Sequence, residues 1–271
     1  MKYIKFLGLI CLICFTFIYT EKIINVSINQ DEIMIKLKEM EKNYKTNPID
    51  AIIVNDTIIP GITGKSINID TSYKEMKKIG YFEESLISYD ILYPSVSIYN
   101  NYNKYIINGN TSNKEVSLIY IINSNKTFDN ILNTVKNKNS TITFFIDSSF
   151  LNNNIDIINK LKDYEIYNYG NKGIYTKDNL IVTNNIINNK SNNNSIYCLF
   201  LKKDINSLNN CSDMKMLSII PSINGNYNDI KNKLNNGSII LINNTKELSN
   251  IIDYIKNKGY TITTLSNIIK E

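Results

Sequence analysis

From residue 116 to residue 265 the chain alternates short apolar runs with amphipathic stripes, and this alternation limits its fold more than any other feature. Residues 116–122 form a continuous apolar run of strand length. Phe128, Ile131, Leu132 and Val135 follow at i, i+3, i+4, i+7, the spacing of one helix face. Residues 141–146 read as the next strand, and Ile155, Ile158 and Leu161 mark a helix after it. Strands at 165–169, 195–201, 214–220, 238–242 and 260–265 continue the series, with helices at 204–208, 227–234 and 246–258. The last helix is punctuated by Asn244 and Glu247 at capping-box spacing and by Gly259 after its end. The Asn-rich stretch 183–195 reads as a loop. Repeated βα units require a parallel sheet with helices outside it, hence a barrel or a doubly wound sheet.

The segment before this alternation has a different texture. Residues 22–112 read as a small α+β module: a helix at 31–44 bearing Ile33, Leu37 and Met40, a strand at 51–54, and a helix at 72–79 closed by Gly80. Strand-like runs at 86–92 and 105–107 complete it. Residues 1–21 read as a leader, with Lys2 and Lys5 ahead of an apolar run at 6–19 and Glu21 and Lys22 behind it. A signal peptide cut near Thr20 and an uncleaved membrane anchor over residues 4–20 both fit. Either sends the chain out of the cytoplasm, secreted or tethered. Neither Cys11 nor Cys14 follows the small residue that a lipoprotein signal needs. In an exported chain Cys198 and Cys211 are candidates for a disulfide, the other reading being two buried thiols.

Composition excludes much of the common chemistry. Among 271 residues there are 52 Ile and 46 Asn, but no His and no Arg, so all 30 basic residues are Lys. Without His there is no Ser-His-Asp triad, no Cys-His pair and no imidazole zinc ligand. Without Arg there is no bidentate guanidinium fork. The lysines form no basic cluster with interleaved aromatics, which argues against a nucleic-acid partner. Gly61, Gly64, Lys65 and Ser66 imitate a phosphate-binding loop, but that loop needs a Gly where Ile59 stands, so no nucleotide is expected.

Five blocks in the second half carry a resemblance: VSLIYII at 116–122, TITFFID at 141–147, YEIYNYG at 164–170, GSIILINN at 237–244 and IKNKGYTITTL at 255–265. In order and spacing they resemble the polysaccharide deacetylases, the NodB homology domain family. The resemblance implies a distorted (β/α) barrel over residues 113–271. Upstream, Ile59-Pro60-Gly61 and residues 72–76 resemble a module that accompanies some exported deacetylase-like proteins of Gram-positive bacteria.

The family's chemistry implies zinc or another divalent metal on one Asp and two His, a second Asp as base, a His as acid and an Arg that orients the base. Carried over position by position, the Asp pair falls on Ile121 and Ile122, and the two metal-binding His on Tyr169 and Gly173. The Arg-Pro motif falls near Pro221 to Gly225, and the late His on Asn243. The expected catalytic set and metal set are therefore both empty, and no cofactor is expected. Tyr164, Tyr167, Tyr169 and Tyr175 surround the lost metal motif, and Asp147 ends the second strand, so these five are candidate glycan contacts. The alternatives are tyrosines that fill space and an Asp147 that caps the next helix. The resulting expectation is an exported, inactive deacetylase-like envelope protein that binds cell-wall glycan or a protein partner. One rival is an active N-deacetylase with a metal relocated to carboxylates such as Asp147. Another is a barrel that merely supports residues 22–112.

Overall fold

The computed structural model describes residues 2–124, 128–191 and 194–271, without the side chains of residues 2–9 and 11. The chain divides into two compact units, residues 1–48 with 63–92 and residues 49–62 with 93–271.

The smaller unit holds the helices Lys2–Asn29, Glu32–Tyr44 and Ile69–Ile79 and the antiparallel strand pair Gly64–Ile67 and Tyr89–Leu92. Ile33, Leu37, Ile67 and Met76 are buried together as its core. Asp31 caps the second helix by accepting from the Ile33 amide, and Gly80 ends the third in a left-handed conformation. Gly64, one of the glycines that imitate a phosphate-binding loop, sits where a Cβ would lie 2.1 Å from the Thr46 carbonyl oxygen. This close backbone approach requires a glycine there. The expected leader falls partly outside the described side chains. Leu12, Phe15, Phe17, Ile18 and Tyr19 of the first helix are exposed, and among the described residues no helix is long and apolar enough to cross a membrane.

The larger unit carries the alternation. Its strands are β1 (Ile52–Val54), β2 (Thr57–Ile59), β3 (Tyr105–Ile106), β4 (Glu115–Ile122), β5 (Thr143–Ile146), β6 (Ile166–Asn168), β7 (Tyr197–Leu199), β8 (Leu217–Ile219), β9 (Ile223–Gly225), β10 (Ile239–Ile242) and β11 (Thr261–Thr263). One sheet runs β9-β10-β4-β5-β6, all parallel, with β11 beside the first half of β4 on the β5 edge. The other runs β1-β2-β3-β8-β7, parallel except for the β1-β2 hairpin. The period-two pleat then sorts the side chains. Val116, Leu118 and Ile122 of β4 pack with Phe144, Ile146 and Ile166 against the outer helices. Ile119 packs inward with Phe145, Tyr167, Leu199, Ile219 and Leu241, filling the space between the sheets. This is the mixed α/β architecture of a distorted barrel.

The barrel has a polar seam. Between β6 and β7, the facing edges of the two sheets, the described residues show no strand pairing. Side chains join them instead. The buried Tyr175 hydroxyl accepts from the Leu199 amide at 2.7 Å and lies 3.1 Å from the carbonyl oxygens of Asn168 and Leu199, to which it donates. The Asn168 amide donates to Ser195 Oγ at 3.2 Å. The fully buried Asn168 side chain donates to Asn184 Oδ1 and accepts from the Gly170 amide and the Ser148 hydroxyl. Outside the second sheet, a disulfide joins Cys198 of β7 to Cys211 of the helix Ile205–Asp213, within a small cluster that includes Tyr175, Phe200 and Met216.

Several sequence expectations are corrected. The stretch 183–195 is not simply a loop: helix Lys177–Lys190 covers its first part, and residues 192–193 lie outside the described residues. Its Asn content disfavours helix, but Leu180, Thr183, Asn184 and Ile187 form a buried stripe, and Thr176 with Asn179 closes a capping box. Tertiary packing outweighs propensity there. Asn244 and Glu247 do not form a capping box, since Asn244 accepts from the Lys246 amide and Glu247 reaches the Tyr227 amide at 3.1 Å. The helix after β5 is two short pieces, Ser148–Asn153 and Ile157–Lys160. The division at residue 112 also falls elsewhere, because β1, β2 and β3 extend the larger unit's sheet.

Candidate functional site

The parallel strands end in a cleft of about 660 Å³ lined by Asn123, Asp147, Phe150, Tyr169 and Lys172 among others. Asn123 directly follows β4, Asp147 follows β5 and Tyr169 follows β6. Each is therefore placed by the register of the strand before it. In parallel α/β folds, binding sites lie at this end of the strands.

Asp147 is the N-cap of helix Ser148–Asn153. Its Oδ1 accepts from the amides of Ser149 and Phe150 at 2.9 and 3.1 Å, and its Oδ2 accepts from the Lys172 amide at 2.7 Å. The third contact pins the loop after β6. Gly170, Lys172 and Gly173 all have positive φ, at 68°, 52° and 80°. A Cβ at Gly173 would lie 3.0 Å from the Tyr169 hydroxyl oxygen, tighter than ordinary contact, so the phenol would have to give way, and the backbone φ of 80° strains any side chain there. The Tyr169 ring thus lies against the place where a second histidine would begin. It is 8 % exposed, and burial, together with the charge of Asp147, raises its phenol above the ordinary value.

The other family positions are equally unsuited. Ile122 is buried in the apolar layer under the helices, and Ile121 packs partly buried on the inner face. Pro221 is buried just before β9. Asn243 is exposed and donates to Asn224 Oδ1 at 2.7 Å. Among the described residues no three of His, Cys, Asp and Glu gather as metal ligands would. Isoleucine offers no donor atom, and the Asp147 oxygens are already taken by backbone amides. Zinc of the kind the resemblance implies does not fit these residues.

The five candidate contacts do not form one cluster. Asp147 and Tyr169 line the cleft together. Tyr167 points into the barrel, its ring 4.7 Å from Tyr197 and 5.6 Å from Phe145, and burial pushes its phenol far up. Tyr175 is the seam residue, fully buried. Tyr164 lies on the helix side, edge-on to Phe144 at 5.5 Å. Strand alternation separates what sequence proximity suggested. Conversely, Asn123, Phe150 and Lys172 line the cleft without having been singled out. Asn123 was the detectable one, since it directly follows the substituted Asp pair.

No family model matches the sequence. The uncharacterized protein YlxY of Bacillus subtilis is 25% identical over 280 residues, spanning 92% of this chain and 86% of that protein. Among solved structures, BA3943, a family 4 carbohydrate esterase (CE4) pseudoenzyme from Bacillus anthracis, superposes with a TM-score of 0.65 at 21% identity, over 89% of this chain and 96% of that one. A mutant of that pseudoenzyme has restored enzymatic activity. Bacillus subtilis PdaA, a family 4 carbohydrate esterase, superposes with a TM-score of 0.53 at 16% identity, over 82% of this chain and 97% of that one. The chain has the fold of the family 4 carbohydrate esterases, the polysaccharide deacetylase barrel.

Proposed function

We propose that this chain is a non-catalytic relative of the polysaccharide deacetylases that holds cell-wall glycan in the cleft at the end of its parallel strands. One observation carries the reading. The Tyr169 ring lies against Gly173, so both family metal-binding positions are filled by a tyrosine and a positive-φ glycine, in a chain without any histidine. The structural neighbour BA3943, itself a pseudoenzyme of which one mutant has restored enzymatic activity, supports it. An envelope location is part of the proposal. It is supported by the Cys198–Cys211 disulfide, which suits an oxidising compartment, and by exposed apolar side chains around the helix Lys2–Asn29. That helix serves as signal peptide or anchor.

The test has three measurements on the same preparation. After incubation with zinc and removal of the excess, metal analysis finds no stoichiometric zinc. No acetate leaves an N-acetylated glycan. Insoluble peptidoglycan nevertheless retains the protein. Acetate release that Asp147→Ala abolishes would overturn the reading in favour of a relocated metal site.

A further inference from the structure

The loop after β6 carries one wall of the cleft, with Tyr169 and Lys172 in the lining. Near its far end stands Tyr175, which the helix Ile205–Asp213 grips. The Tyr175 amide donates to Ser207 Oγ at 3.0 Å, and the Asn210 side-chain amide donates to the Tyr175 carbonyl at 2.8 Å. Ser207 and Asn210 lie four residues and one residue before Cys211, whose sulfur ties the same helix to Cys198 of β7. We propose that the Cys198–Cys211 disulfide is a redox-controlled clamp on the cleft. Oxidised, it holds the helix on Tyr175 and so holds the loop; reduced by a dithiol, it lets helix and loop move together. The coupling stands on these contacts alone, whereas its control of glycan binding rests on the glycan-binding reading above.

Neither partner holds itself. The helix has 9 residues, short of the ~12–15 that an isolated helix needs, so packing keeps it formed. Its buried side chains are Ser207, Leu208 and Cys211: one bonds Tyr175, one is apolar and one is covalent. Without the covalent tie, Leu208 and the Asp204 cap on the Ser207 amide are left to position the contacts to Tyr175. The loop takes positive φ at Gly170, Lys172 and Gly173, a path that persists only while its surroundings enforce it. Asp147 enforces it at the Lys172 amide, and the helix enforces it at Tyr175. Reduction is a two-electron exchange. A thiolate of the dithiol attacks one cystine sulfur, and the S–S bond breaks to give a mixed disulfide. The reductant's second thiol then displaces the protein sulfur and closes a disulfide of its own, leaving Cys198 and Cys211 each with one proton. Both sulfurs are fully buried in the apolar cluster with Phe200 and Met216, where burial keeps thiols neutral. A reductant therefore reaches them when the helix lifts, the same motion that frees Tyr175.

The experiment is residue-resolved hydrogen exchange on the full chain, oxidised and after reduction with dithiothreitol, with alkylation and mass analysis fixing the state of the cysteines. The Tyr175 amide reports the grip of the helix and the Lys172 amide reports the cleft wall. The Phe144 amide, which donates to the Glu165 carbonyl at 2.8 Å, is the control in the other sheet. Reduction quickens exchange at Tyr175 and Lys172 by about tenfold or more and leaves Phe144 within about twofold. Asn210→Ala, with the disulfide intact, quickens the same two amides, and reduction then adds less than it does in the unaltered chain. Unchanged exchange at Tyr175 and Lys172 on reduction would overturn the clamp. Equal quickening at Phe144 would overturn it too, since the disulfide would then staple the whole unit. Retention on insoluble peptidoglycan falls by roughly threefold or more on reduction. Equal retention of both forms would overturn the control of the cleft. Failure of peptidoglycan to retain either form would remove the glycan-binding reading, while quickened exchange at Tyr175 and Lys172 would still support the clamp.

Discussion

The barrel seam makes Tyr175→Phe an informative substitution. The ring stays, so its packing on Phe200, 5.3 Å between centroids, is kept and no cavity opens. Only the hydroxyl is lost. With it goes the acceptor for the Leu199 amide, in a residue that is wholly buried, and the donor to the carbonyls of Asn168 and Leu199. A buried amide left without a partner costs about 1–3 kcal/mol, and the lost donation adds about 1 kcal/mol. The expected loss is therefore about 2–4 kcal/mol. In a unit of this size that lowers Tm by roughly 5–15 °C. Urea unfolding followed by circular dichroism measures it, with the exposed Tyr81→Phe as the control expected to stay within about 0.5 kcal/mol. Hydrogen exchange at the Leu199 amide should quicken in step. A Tyr175→Phe loss below about 0.5 kcal/mol at unchanged m-value would refute the view that this hydroxyl holds the two sheets together.

Other perturbations read other parts of the molecule. Replacing Ile122 by Asp, Tyr169 by His and Gly173 by His supplies the family's ligand types, yet a His at φ 80° and an Asp in an apolar layer together cost more than about 2 kcal/mol. The triple variant should be destabilised and bind no stoichiometric zinc; tight zinc by metal analysis would show that the Gly170–Gly173 loop can remodel. The disulfide spans a sequence separation of 13. The Cys198→Ser, Cys211→Ser double variant should lose about 3 kcal/mol in a denaturant titration, and equal stability would mean that the closed loop constrains nothing. Burial raises the phenols of Tyr167, Tyr175 and Tyr197 above the ordinary 10.0. For these groups the folded state holds protons that the unfolded state releases, so stability is full below pH 10 and falls as pH rises above it. Ultraviolet titration should show these tyrosines ionising only together with unfolding; smooth ionisation in the folded state would contradict their burial. At the acid end, Lys77 beside Asp31 and the Ile33 amide hold the Asp31 carboxyl below its ordinary 3.8. That contribution is present above pH 3.8 and is lost as pH falls below it, so Asp31→Asn should flatten the acid limb of the smaller unit's stability profile.

The sequence conveys the barrel because its strands are buried on both faces. A run such as residues 116–122 stays apolar regardless of register, and the βα alternation survives errors at its boundaries. The site is less legible, because it depends on which way a side chain points after a strand ends. Ile166 and Asn168 share one face of β6 while Tyr167 takes the other, a period-two argument available from the sequence that neighbouring tyrosines obscure. The Tyr175 role left no local signal, since its partners Asn168 and Leu199 lie 7 and 24 residues away. Helix Lys177–Lys190 was hidden by its asparagines. One of them, Asn184, is part of the buried network that makes the helix favourable.

The placement of β4 has a consequence in time. Its neighbours β10 and β11 come late, Leu241 pairing with Ile119 across about 120 residues of chain. At synthesis rates of ~5–20 residues per second, the central strand waits on the order of ten seconds for one whole edge to be covered. During that interval only β5 and β6 can join it, and its open edge is a template for any other extended strand nearby. The same delay keeps the chain from closing early, so whatever handles the nascent chain, a holding chaperone included, meets a thread rather than a finished barrel.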